Sequence, residues 1–78
     1  MPHYLTQHDV DRLARDYCYH APRPDQVERY TDLRQRAHAL AVAIAGHCPP
    51  SRERSAALTK LEEAVMHANA AIARNEAD

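Results

Sequence analysis

With 78 residues and a net charge of −1, ten Lys and Arg against eleven Asp and Glu, the chain has room for one small domain and lacks the strongly basic face of a duplex-DNA binder. Apolar residues make up 45% of it, but Trp and Phe are absent and alanine supplies much of that share, so little area is buried per residue. At roughly 25 cal/mol per Å² such a core barely offsets chain entropy, and chains of this size usually add disulfides, a metal or oligomerisation.

The first expected helix follows Thr6 and covers about residues 7–19. Thr6-Gln7-His8-Asp9 resembles a capping box with Asp in place of Glu. Val10, Leu13, Ala14 and Tyr17 then draw a short apolar face. The break is His20-Ala21-Pro22-Arg23-Pro24, where two prolines disfavour helix at the residues before them. Asp25 to Glu28 reads as a second capping box, opening a helix over about 26–46 with Val27, Tyr30, Leu33, Ala37, Leu40, Ala41 and Ile44 on one face. Gly46, the only glycine, is placed to end it at the C′ position. Cys48-Pro49-Pro50 turns the chain, and Ser51 caps a third helix over about 52–75.

That third helix carries Leu58, Leu61, Val65, Ala68 and Ile72 at alternating spacings of three and four, one apolar stripe along its length. Ala57, Ala64 and Ala71 repeat at seven residues beside the stripe, and small residues in such a column let another helix approach closely. The expected fold is all-α: a short N-terminal helix packed on an antiparallel hairpin of two long helices, a single domain over 1–78. The undersized core and the alanine column together call for a homo-oligomer larger than a dimer.

Several chemistries are unsupported. The six His include no i, i+4 pair on a helix face, and Cys18 and Cys48 form no Cys-x-x-Cys knuckle, so no metal site is expected. One glycine supplies neither an oxyanion hole nor a phosphate loop, and no enzyme activity or cofactor is called for. No apolar leader opens the chain and no run reaches the ~20 apolar residues of a membrane span, so the expectation is a cytosolic protein with reduced thiols. Ligand binding without chemistry has more support. Tyr17-Cys18-Tyr19-His20 sets three rings beside the Pro-x-Pro turn, where they could stack on bases or simply cover a helix end. Arg23, Arg29, Arg34 and Arg36 follow closely, either as phosphate contacts or as partners in helical ion pairs.

Three stretches resemble one family. They are Tyr19-His-Ala-Pro-Arg-Pro-Asp-Gln-Val-Glu-Arg-Tyr30, Cys48-Pro-Pro-Ser-Arg-Glu-Arg-Ser55, and Lys60-Leu-Glu-Glu-Ala-Val-Met-His-Ala-Asn-Ala-Ala-Ile-Ala-Arg-Asn75. They are similar to the phage anti-CBASS cyclic-oligonucleotide sponges, the second type of anti-CBASS protein. The clear resemblance covers about Tyr19 to Asn75; residues 1–16 fall outside it, and His67 stands where an aromatic, commonly Trp, is expected.

The resemblance implies all-α subunits in a homohexamer. Such an assembly would sequester cyclic dinucleotides and, in a separate class of pocket, cyclic trinucleotides, without cleavage. The place of action would be the cytoplasm of the infected bacterial host, where these messengers trigger immunity. By motif, the family's base-stacking tyrosine corresponds to Tyr19. Its phosphate-contacting lysine falls on Arg34, fifteen residues on. Arg74 is the candidate for the trinucleotide pocket, on charge and location. The competing readings are a small helical phage structural or adaptor protein acting through protein contacts, and a small nucleic-acid binder whose Gly46–Ser55 corner would serve as a helix-turn-helix.

Overall fold

A computed structural model describes residues 3–76, which form three helices and no strand: α1 (Gln7–Asp16), α2 (Pro24–His47) and α3 (Arg52–Asn75). Thr6 caps α1 reciprocally. Its Oγ1 accepts from the Asp9 amide at 3.1 Å, and its own amide donates to Asp9 Oδ2 at 3.2 Å. The amide bond from Thr6 holds the Asp9 carboxyl below its usual range. The helix expected over 7–19 ends at Asp16, because Tyr17 lies 87% exposed and has no packing to hold another turn.

α2 begins earlier than its capping sequence suggested. Arg23 is the N-cap and Pro24 the first helical residue, a position that suits proline's fixed φ and missing amide. Gln26 Oε1 reaches back to accept from the Arg23 amide at 2.9 Å. The far end also differs. Gly46 stays helical and no positive φ occurs among the described residues, so it is not a C′ cap. The helix runs on to His47 and stops because Pro49 forces Cys48 into an extended conformation, φ −109° and ψ 136°. At the start of α3, Ser51 Oγ accepts from the Arg54 amide at 3.1 Å.

The extensive packing among the described residues is between α2 and α3. The half-buried positions of α3 include Leu58, Leu61, Val65, Ala68 and Ile72, the stripe drawn by the sequence. Ala37, Leu61 and Val65 form the middle of the seam and are open from both sides of the hairpin. α1 does not pack across the hairpin as expected, and Val10, Leu13 and Tyr17 stay exposed. Its short apolar face meets no facing stripe within the chain.

Among the described residues no apolar side chain is fully buried, and the only buried residue is Gln26, 6% exposed. The molecule measures 52 × 35 × 13 Å, a single layer of helices. Stable domains bury their apolar stripes between at least two layers, so both faces of this hairpin are left to be covered. One of those faces is lined by Leu33, Leu40, Ala64 and Ala68. Ala57, Ala64 and Ala71 are all exposed.

Candidate functional site

The open end of the hairpin is where sequence-distant groups meet. The Pro22-Arg23-Pro24 turn lays Tyr19, His20 and Ala21 beside the start of α2 and the end of α3, forming a cleft of about 300 Å³. Glu76, the C-cap of α3, is its electrostatic centre. Arg29 Nη1 donates to Glu76 Oε2 at 2.7 Å, Arg23 Nη2 to Oε1 at 3.4 Å and Gln26 Nε2 to Oε1 at 3.4 Å. Arg23 Nη1 also donates to the Glu76 carbonyl at 3.1 Å, and Arg29 Nη2 holds Asp25 Oδ2 at 3.0 Å. Buried Gln26 thus links the N-cap of α2 to the C-cap of α3. The Arg29 hydrogen bond is the main reason the Glu76 carboxyl falls to about 2, and the same bond raises the Arg29 pKa further.

This clasp decides which cations can meet a ligand. Arg23 and Arg29 are engaged by Glu76 and Asp25, and Arg36 pairs with Asp32 at 3.0 Å on its own helix. Among the described residues, Arg34 and Arg74 make no ion pair and no side-chain hydrogen bond. They share a second cleft of about 510 Å³ with Tyr30, Asn69, Ala70 and Ala73. The spacing explains the grouping. Tyr30 and Arg34 are one turn apart on α2, and Asn69, Ala73 and Arg74 follow one face of α3. Two unpaired guanidiniums on one concave surface suit an anion with several oxygens, above all phosphate.

Arg34 also borders a third, mostly apolar cleft of about 390 Å³, lined by His38, Ala41, Leu58 and Glu62 among others. Tyr30 lines both the first and the second cleft and Arg34 both the second and the third, so the three adjoin. Tyr19 lines the first cleft and is 84% exposed, with its ring free to receive a base. The structure therefore brings Arg34 and Arg74 into one cleft and places Tyr19 in the adjoining one. Tyr30 and Asn69 were not identified as site residues from sequence. For Tyr30 the signal was its place one turn before Arg34, and for Asn69 it was a lone carboxamide in an alanine-rich run.

No group of three or more His, Cys, Asp or Glu among the described residues could hold a metal ion, and no described helix is long and apolar enough to cross a membrane. Cys18 and Cys48 are free and exposed. A family model described as Acb2/Tad1, hairpin domain, matches residues 9–73, starting within α1, ten residues before the resemblance visible by motif. No curated protein and no solved structure matches the chain.

Proposed function

The chain belongs to the Acb2/Tad1 hairpin-domain family of anti-CBASS sponges, and from that premise we propose that it captures cyclic di- and trinucleotides and holds them without cleaving them. The observation that carries this reading is a pair of arginines, Arg34 and Arg74, without an ion-pair partner among the described residues and in one cleft, while the other cleft-lining arginines, Arg23 and Arg36, are engaged by Glu76 and Asp32. Arg34 and Arg74 would take the phosphates. Tyr19 would stack on a base of a cyclic dinucleotide from the adjoining cleft, with Arg34 on its phosphate and Arg74 serving the trinucleotide.

The reading includes a homo-oligomer, a hexamer by family, because a single chain leaves its clefts shallow and its apolar faces open. A cyclic dinucleotide has approximate two-fold symmetry, and an isologous interface would present one tyrosine and one arginine to each half of the ligand. The polar groups of the Arg34–Arg74 cleft are guanidiniums, a phenol and a carboxamide. No carboxylate, imidazole or thiol lines it, which suits retention rather than proton transfer. Held in this way in the cytoplasm of the infected bacterium, the messenger would not reach its effector and CBASS immunity would stay silent.

A helical adaptor acting through protein contacts would draw on the same open apolar faces. Calorimetry with a panel of cyclic di- and trinucleotides separates the two, since an adaptor gives no heat with any of them. A saturable exotherm with at least one ligand supports capture.

A further inference from the structure

Tyr19 stands on a stretch of chain with little to hold it, and we infer that Arg23 positions its ring by tethering the Pro22-Arg23-Pro24 turn to Glu76 at the end of α3. The inference rests on the cyclic-nucleotide reading above and adds the group that keeps the stacking ring in place. Tyr19 is 84% exposed, so packing does little to fix it. On its N-terminal side, α1 makes no extensive contact with the hairpin and offers the segment no firm anchor. Among the described residues, every hydrogen bond that ties residues 17–23 to the hairpin falls on Arg23.

Those bonds are of two kinds. The Arg23 backbone makes the bonds of an N-cap: its amide donates to Gln26 Oε1 at 2.9 Å, and its carbonyl accepts from the Val27 amide at 3.0 Å. They belong to α2 and would survive loss of the side chain. The guanidinium reaches the other helix. Nη1 donates to the Glu76 carbonyl at 3.1 Å and Nη2 to Glu76 Oε1 at 3.4 Å, while Nε faces Asp25 Oδ1 at 3.4 Å. The side chain alone therefore links the turn to α3.

Proline on both sides carries that link along the chain. Pro22 and Pro24 fix their own φ, and each restricts the residue before it, Ala21 and Arg23. Few soft dihedrals remain between a held Arg23 and the Tyr19 ring, and both line one cleft with Glu76. Because the guanidinium is already engaged by two carboxylates, it acts on the ligand through Tyr19 and not by its own contact with phosphate.

The test is calorimetry with cyclic GMP-AMP and cyclic tri-AMP on wild type, Tyr19→Ala, Arg23→Ala and the double variant, with melting temperature measured on the same samples. Arg23→Ala should weaken cyclic GMP-AMP about three- to fivefold, the modest effect of an exposed ion pair, and Arg23→Lys should recover part of it. Cyclic tri-AMP should bind as before, since neither Arg23 nor Glu76 lines the Arg34–Arg74 cleft and Arg29 still holds Glu76. In the Tyr19→Ala background, Arg23→Ala should cost nothing further, because the ring it positions is gone. A fully additive loss there would make Arg23 a direct ligand contact and overturn the inference. So would unchanged affinity in Arg23→Ala, or equal losses for both nucleotides with a lower melting temperature. Glu76→Gln checks the sign: it should also weaken cyclic GMP-AMP, whereas a gain would show Glu76 competing with the ligand for Arg23 and refute the tether. If wild type binds no cyclic nucleotide, or Tyr19→Ala binds cyclic GMP-AMP as tightly as wild type, the capture reading at Tyr19 fails and takes the inference with it, and those two titrations alone reveal it.

Discussion

Arg34→Ala isolates a phosphate contact from the stability of the fold, because among the described residues Arg34 makes no ion pair or side-chain hydrogen bond that the substitution could remove. Alanine is also the better helix former at this mid-helix position, so melting temperature and oligomer mass should be unchanged. A hydrogen bond to a charged group contributes about 1.5–3 kcal/mol. Losing one such contact should therefore weaken cyclic dinucleotide binding by roughly ten- to a hundredfold, and losing one on each ligand half by about a hundredfold or more. Arg34→Lys should recover part of this, keeping the charge without the planar fork. The assay is calorimetry with cyclic GMP-AMP at two salt concentrations, since screening weakens exposed charge contacts. Wild type should lose affinity as salt rises, and Arg34→Ala should lose less. An unchanged affinity in Arg34→Ala at both salts would remove Arg34 from the site. Arg36→Ala is the control: Arg36 pairs only with Asp32, so its loss should leave binding intact.

Tyr19→Ala should cost about 1–3 kcal/mol of dinucleotide affinity, and Tyr19→Phe much less, because the ring is exposed and stacking uses its face; equal losses in titrations of both variants would place the contact on the hydroxyl instead. Ala64→Asp should break the assembly, since a carboxylate at a close helix contact cannot be solvated; light scattering that still reported the wild-type mass would argue against that face. Gly46→Ala should raise stability by about 0.5–1 kcal/mol in denaturant titration, because the position is helical and an added Cβ would meet nothing within 4 Å. The Glu76 clasp should be at full strength above the ordinary carboxyl value of 4.5 and weaken as pH falls toward about 2. Hydrogen exchange or NMR at the end of α3 should show that loss in wild type, whereas Glu76→Gln should be frayed at neutral pH and insensitive to acid.

The sequence carried most of what is local. The three-and-four spacing of Leu58, Leu61, Val65, Ala68 and Ile72 marked the seam, and Ser51 and Thr6 marked two helix starts, because caps and stripes depend on neighbours within one or two turns. The clasp was not legible. It depends on hairpin closure bringing Glu76 to Arg23, Gln26 and Arg29, about fifty residues earlier in the chain. The same closure decides which arginines are left unpaired, so Arg23, Arg29 and Arg34 look equivalent in sequence and differ only once folded. α1 was misplaced for a related reason: a helix with an apolar face signals that something covers it, but not that the cover belongs to the same chain. Asn69 was not legible as a lining residue because it meets Tyr30 and Arg34 only once α2 and α3 close on each other.

Intact recovery of a bound messenger tests the central claim most directly. The protein is incubated with cyclic GMP-AMP, separated from free ligand, heated, and the supernatant analysed by chromatography while the mass of the unheated complex is measured. The account predicts that the nucleotide stays with an oligomer near six times the 8.8 kDa of the chain and is released unaltered. Ligand lost on separation, or recovered as a linear product, would contradict it.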